Sequence, residues 1–388
     1  MAGHRKPAPP GIIGAFPEFV HSEVASSVAL LACSVIALVW ANSPWADVYE
    51  ELLHTKFGLT LGDKSFVLTL HHWINDGLMV VFFFVVGLEV KRELVVGHLS
   101  SVKKATLPVM AAAGGMAVPA ALYTALNYGG EGMSGWGIPT ATDIAFALGV
   151  LALLGSRVPI GLKVFLTALA IADDIGAVLV IALFYTDEIA WVGLAIAAVF
   201  LVLLLLADRV WRVRTVGVLA VLVIGVWVGV FTSGIHATIA GILMALLAPV
   251  RPRIEPEQFL EISRSRLDVL GDQGLTKESV IANPDQLDAI VELHEVAGEM
   301  RPPGLALEQY FHPVSAFVVL PLFALANAGV ALGGDVRALA ASPVTWGVIL
   351  GLVLGKQIGI TLLSWLVIRS GRAELPDNVT WPQVFGES

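Results

Sequence analysis

The sequence predicts an all-α polytopic membrane protein of about ten transmembrane helices, with one small β-hairpin on its outer face. Three observations carry that prediction. Hydrophobic residues make up 56% of the 388 and charged residues only 14%, with a mean hydropathy of +0.81. A soluble domain carries about 25% charged residues, so this chain cannot clothe itself in water. Several apolar runs reach the roughly 18 residues that a bilayer-spanning helix needs. The basic residues then fall almost wholly in alternate connections between those runs.

The predicted spans lie near 23–41, 73–90, 106–126, 134–154, 161–184, 189–207, 215–231, 233–249, 312–333 and 344–368. With the N-terminus inside, outward connections should be poor in Lys and Arg. Only Lys56, Lys64 and Arg337 fall in outward loops, whereas Lys91, Arg92, Lys103, Lys104, Arg209, Arg212 and Arg214 lie on the inner side. That pattern predicts one transmembrane domain over residues 1–388, multi-pass in the cell's inner (plasma) membrane, with a cytoplasmic N-terminus. His4, Arg5 and Lys6 pass through Pro7, Pro9 and Pro10 before the first apolar run, and no small-residue cleavage site follows it. It reads as a retained helix rather than a signal peptide. The single cysteine, Cys33, excludes an intrachain disulfide and any cysteine-based metal site.

Two connections have a character of their own. Phe57–Leu61 and Phe66–Leu70 flank Gly62-Asp63-Lys64-Ser65, the pattern of a β-hairpin. An isolated hairpin is marginal, so this one is expected to pack on something, another subunit being one choice. The inner segment from about 250 to 311 holds twelve Asp and Glu against six Lys and Arg. It reads as an acidic cytoplasmic insert, solvated or regulatory, in which Leu287, Ile290, Val291 and Leu293 suggest a short amphipathic helix.

An ionisable residue at mid-membrane costs about 2.5–3.5 kcal/mol on insertion scales, so such residues tend to be functional. Asp143 falls near the centre of the fourth span, Asp173 and Asp174 just past the centre of the fifth, and Lys356 at the centre of the tenth. Similar depth in three spans predicts one midplane site. Adjacent helix positions point about 100° apart, so Asp173 and Asp174 both reach a cavity only if it wraps that side of the helix. Desolvation and mutual repulsion oppose both staying ionised. A hard monovalent cation among their oxygens relieves that repulsion, and so do protons. A carboxylate pair that accepts one or the other, but not both, is the core of an exchanger; a structural pair bridging neighbouring helices is the bland alternative.

The fourth span looks broken. Pro139 lacks an amide hydrogen and restricts Ile138, and Thr140, Thr142 and Asp143 are good helix starters. A half-helix beginning at Asp143 would have its positive end offset by that carboxylate; an intact, kinked helix is the alternative. Lys356 needs an anionic partner, either one of the aspartates or the negative end of a broken helix. A structural counter-charge and a direct role in the proton cycle both stay open. Nearer the surfaces lie Asp76 at the outer end of the second span, Glu89, Lys91, Arg92 and Glu93 at its inner end, and His236 at the outer start of the eighth. Each, taken alone, is an ordinary interfacial group. Phosphate loops, nucleotide fingerprints, nucleophile elbows and metal-binding His patterns are absent, so neither a cofactor nor a nucleic-acid partner is expected.

Four stretches resemble the NhaA family of bacterial Na⁺/H⁺ antiporters. They are Trp73-Ile74-Asn75-Asp76 through Gly87-Leu88-Glu89-Val90-Lys91-Arg92-Glu93-Leu94, Ala141-Thr142-Asp143-Ile144-Ala145-Phe146-Ala147-Leu148-Gly149, Ala168-Leu169-Ala170-Ile171-Ala172-Asp173-Asp174-Ile175-Gly176-Ala177, and Pro321-Leu322-Phe323-Ala324-Leu325-Ala326-Asn327-Ala328-Gly329. The family is an example of inverted-repeat transporters with a site between discontinuous helices. The resemblance implies that Asp173 and Asp174 form the cation and proton site, Asp173 as proton carrier and Asp174 as ligand to Na⁺ (or Li⁺). It implies that Thr142 and Asp143 sit on the family's unwound segment and that Lys356 is its buried lysine. It further implies a pH response at Glu89, Arg92, Glu93 and His236, an outer funnel at Asp76, and a homodimer through the 57–70 hairpin.

The insert is longer than the family's pattern leads one to expect, and the family continues with two more helices beyond the position of Ser388. The expectation is therefore that residues 1–388 alone insert but are poorly stable and inactive without those spans. The leading reading is a secondary antiporter driven by the proton gradient. A non-transporting membrane subunit is the first alternative, and an intramembrane aspartyl protease the second, although the Gly-x-Gly-Asp turn of such proteases is missing.

Overall fold

The computed structural model describes residues 12–62, 64–97, 99–141, 158–186, 189–211, 215–272, 283–333, 340–376 and 379–387. The described chain begins with α1 (Ile12–Ala41) and α2 (Ala46–His54), bent against each other by 114°. Strands β1 (Lys56–Leu61) and β2 (Lys64–Thr69) follow, then α3 (Leu70–Val95) and α4 (Val102–Leu126). A 3-10 stretch covers Glu131–Thr140. Then come α5 (Ile160–Phe184), α6 (Trp191–Arg209), α7 (Val216–Thr232) and the short α8 (Ile239–Leu247). The expected insert holds α9 (Pro256–Asp272) and α10 (Pro284–Met300). Finally α11 (Pro303–Asn327), α12 (Pro343–Arg369) and α13 (Trp381–Glu387) complete the described chain.

Among the described residues six helices are long and apolar enough to cross a bilayer, or seven if the bent pair α1–α2 is one span. They correspond to the second, third, fifth, sixth, ninth and tenth expected spans. The protein is a multi-pass α-helical membrane protein.

Two expectations are corrected. The eighth span is not a continuous helix over 233–249: residues 233–238 turn, and only nine residues of α8 follow. Gly234, at φ 82°, adopts the left-handed backbone that a β-carbon disfavours. The ninth span begins at Pro303 rather than 312 and ends at Asn327, so 303–311 belong to a spanning helix and not to the insert. Proline at its first turn loses no hydrogen bond there, and the charge of Glu308 hid this start from a hydropathy window. Among the described residues the insert holds two helices, α9 and α10, tied by Arg266 Nε to Glu292 Oε2 at 2.6 Å.

The β-hairpin runs in the register Lys56↔Thr69 through Leu61↔Lys64. Within this chain the hairpin packs on the helices that follow it. Phe57 stacks on Trp73 with ring centroids 5.4 Å apart, and Trp73 Nε1 donates to Phe57 O at 3.1 Å. Phe66 meets Trp73, Trp227 and Phe231 edge-on at 5.8–6.0 Å. An aromatic platform on α3 and α7 therefore seats the hairpin.

Two ends of the bundle can now be distinguished. At the hairpin end, Asn42 donates to Val330 O and accepts from Leu332 N, and Asn75 and Asn327 exchange amide hydrogen bonds. At the insert end, Lys91 Nζ donates to Leu246 O and Ala248 O, and Arg253 reaches Asp208 at 2.8 Å. Between them, α4 and α12 touch backbone to backbone. A β-carbon on Gly359 would lie 2.0 Å from Gly114 O, and one on Gly114 would lie 2.1 Å from Gly359 O. Small residues permit such close crossings in membranes.

Candidate functional site

The site lies where α5, α12 and the 3-10 stretch converge. Asp173 falls at the middle of α5 and Lys356 at the middle of α12, and both are buried. Lys356 Nζ stands 3.0 Å from Asp173 Oδ2 and also donates to Thr140 O at 2.9 Å. Asp174, the next residue, is half-buried. Both partners foreseen for Lys356, an aspartate and the carbonyl end of a broken span, are thus engaged at once.

Local structure explains the placement. A π turn over Gly351–Gly355 immediately precedes Lys356. Each π turn holds one residue more than an α turn and so re-aims the side chains that follow; such turns are frequent at functional sites. The same turn lets α12 approach two prolines: a β-carbon on Gly355 would lie 2.8 Å from Pro119 Cα, and one on Gly351 2.8 Å from Pro139 Cβ. The fourth span does break where Pro139 foretold. The 3-10 stretch ends at Thr140, and Ala141 is extended (φ −76°, ψ 151°). At about 2 Å rise per residue, those ten residues carry the chain roughly 20 Å toward the midplane. Thr142 and Asp143, and the half-helix expected after them, lie outside the described residues.

The residues grouped above as pH-responsive separate into two places. At the insert end, Arg92 lies 3.3 Å from Glu308 and 3.6 Å from the buried Glu93. Glu89 is within electrostatic reach of Arg92, Glu93, Glu308 and His312. His236 lies instead at the hairpin end, in the turn before α8, within reach of Asp76 together with His71 and His72. Asp76 itself sits on a second π turn, Trp73–Leu78, whose carbonyl at Asp76 accepts Trp227 Nε1 at 2.6 Å.

A family model described as Na⁺/H⁺ antiporter 1 matches residues 17–388. The chain belongs to that family. A Na(+)/H(+) antiporter NhaA of Rhodopirellula baltica is 45% identical over 378 residues, covering 96% of this chain and 83% of the relative. One of Sulfurimonas denitrificans is 43% identical over 377 residues, with the same shares covered. A Na(+)/H(+) antiporter NhaA 2 of Sorangium cellulosum is 45% identical over 369 residues, covering 95% of this chain and 78% of the relative.

In this member of the Na⁺/H⁺ antiporter 1 family, sequence reasoning missed two groups at the insert end. In sequence Glu308 falls within the insert, although Glu308 and His312 stand four apart on one helical face ahead of an apolar run. In sequence Lys91 is one of four charged residues at the inner end of the second span. Its ammonium caps the carbonyl end of α8, where a cation offsets the helix dipole.

Proposed function

We propose that this chain is a secondary antiporter that exchanges Na⁺ for H⁺ at the Asp173–Asp174 pair. The observation that carries the reading is the buried contact of Lys356 Nζ with Asp173 Oδ2 at 3.0 Å, beside a second acid and at the middle of two spans. An ammonium already occupies one oxygen of the pair, and a cation that enters must take its place. Na⁺ and H⁺ compete for the same carboxylate oxygens, so the site holds one cargo or the other. Loading with Na⁺ from one side and with protons from the other then couples the two gradients. The relatives bear the name of antiporters, and the family's members are transporters rather than enzymes, which favours this reading over a protease or a silent subunit.

Several finer features belong to the same proposal. Li⁺, another small hard cation, is a second cargo. Asp173 carries the proton and Asp174 ligates the cation, with Thr142, Asp143 and Lys356 in support. Glu89, Arg92, Glu93 and His236 tune the response to pH, the first three at the insert end and His236 at the hairpin end, and Asp76 lines the outer funnel. The N-terminus and the α9–α10 pair face the cytoplasm, and the protein lies in the inner membrane as one domain over residues 1–388. Two copies associate through the 57–70 hairpin, whose Leu59 is 82% exposed. The test is direct: in everted vesicles holding a proton gradient, added Na⁺ should dissipate that gradient. No response to Na⁺ or Li⁺ from vesicles shown to contain the protein would overturn the reading.

A further inference from the structure

Asp76 occupies the π turn Trp73–Leu78, near the hairpin end of α3. Departures from straight α geometry arise at π turns, or where an outside group enters the ladder of backbone hydrogen bonds. Both occur here. Trp227 of α7 donates its Nε1–H to Asp76 O at 2.6 Å, reaching it from 151 residues further along the chain.

The indole that makes this bond is closely held. It stacks on Trp73 with ring centroids 5.7 Å apart, and Phe66 of β2 meets it edge-on at 5.9 Å. Phe231, one turn further along α7, lies 5.7 Å away. The residues around it in α7, Val226 and Val230, share one buried cluster with Val80 of α3 and with Ala240 and Met244 of α8. A second helix holds the same turn, because Asn75 exchanges amide hydrogen bonds with Asn327 of α11. The Asp76 carboxyl is half-buried between these supports, within electrostatic reach of His71, His72 and His236.

We infer that Trp227 is a positioning residue for cation passage: its N–H keeps the π turn of α3 in place and so aims the Asp76 carboxylate at the mouth of the path on the hairpin side. The inference rests on the proposed place of Asp76 in the outer funnel. A π turn holds one residue more than an α turn, and successive α positions differ by about 100°. A turn that closes to α geometry therefore rotates the hairpin-ward part of α3 by about that angle against the remainder. A charged cleft raises the local concentration of its counter-ion. A carboxylate turned away from the mouth no longer does so.

Trp227→Phe keeps an aromatic ring and removes the donor. Vesicles whose hairpin end faces outward offer added Na⁺ to that end, and inverted vesicles offer it to the insert end. From the hairpin side the apparent Km for Na⁺ should rise about fivefold, the ratio set by one ordinary hydrogen bond. From the insert side it should not change. An unchanged Km on both sides overturns the inference, and so does an equal rise on both. A residue that only stabilises the fold lowers the number of active molecules and leaves both Km values alone. If Trp227→Phe fails to insert, 3-benzothienylalanine placed at Trp227 keeps both rings, lacks the N–H and carries the same expectation. Asp76→Asn then shows whether Trp227 acts through Asp76. With the carboxylate gone, adding Trp227→Phe should not raise Km further, and additive effects would contradict the inference. An unchanged hairpin-side Km in Asp76→Asn alone defeats the funnel reading and the inference with it. A raised Km there, beside an unchanged one in Trp227→Phe, defeats only the role of Trp227.

Discussion

Lys356 Nζ bridges two oxygens on two other segments, Asp173 Oδ2 at 3.0 Å and Thr140 O at 2.9 Å. One ammonium therefore ties together α5, α12 and the arm of the broken fourth span. Burying an ion pair is costly, and it repays that cost only when geometry and further hydrogen bonds are good. A stable protein could do without such a pair by using apolar side chains. In the proposed exchange the pair has a further part, because it is what the cargo must open.

Asp173→Asn and Asp174→Asn should each abolish Na⁺-driven proton flux while the protein still inserts. The amide keeps the shape of the carboxylate but neither binds a proton nor offers a full negative charge to Na⁺. Flux through purified protein in proteoliposomes, followed with a trapped pH dye, is the measurement. Near-normal exchange by either variant would contradict a two-carboxylate site.

Lys356→Met should lower stability, because it removes one partner of the buried Asp173 carboxylate, and breaking a buried ion pair costs about 3–5 kcal/mol. Adding Asp173→Asn should restore most of that loss without restoring transport. A thermal-melt double-mutant cycle in detergent measures the coupling. Additive losses would show that the two side chains do not depend on each other.

How much of this could be read in advance depends on what hydropathy and spacing encode. Asp173, Asp174 and Lys356 stood out because charge at the centre of an apolar run is costly, and the structure brings Asp173 and Lys356 into contact. Pro139 announced the break before Thr142 for an equally local reason. The hairpin was legible from its turn, but its seat on Trp73, Trp227 and Phe231 was not, since those residues meet only in the fold. The eighth span fooled a hydropathy window because the apolar run from Ile239 to Leu247 outweighs residues 233–238, which turn at Gly234. Glu308 misled in the opposite direction, its charge disguising the first turns of α11. The bond from Trp227 to Asp76 O gave no signal at all: an aromatic residue near a span end reads as an interfacial anchor, and its acceptor is backbone far away in the chain.

Gly359→Ala should separate α4 from α12, since the new methyl would meet Gly114 O at 2.0 Å with only backbone to yield. Overpacking of this kind costs about 1–3 kcal/mol. A lower melting temperature and reduced flux are expected, because Lys356 rides on the displaced helix. Wild-type stability would mean that the two helices can part without consequence.

The apparent Km for Na⁺ should fall as pH rises. Protons and Na⁺ occupy the same oxygens, so removing protons clears the site for the cation. Flux measured over a range of Na⁺ concentrations at several pH values reads this directly. A Km that stays flat from acid to alkaline pH would rule out simple competition.

The central claim, that Na⁺ and protons exclude each other at Asp173 and Asp174, is tested most directly by proton release. Purified protein in weakly buffered detergent solution is brought to a mildly acidic pH, and Na⁺ is added at constant ionic strength. The account predicts a saturable acidification from the unaltered protein and none from Asp173→Asn or Asp174→Asn. Calorimetrically detected Na⁺ binding with no proton released would contradict it.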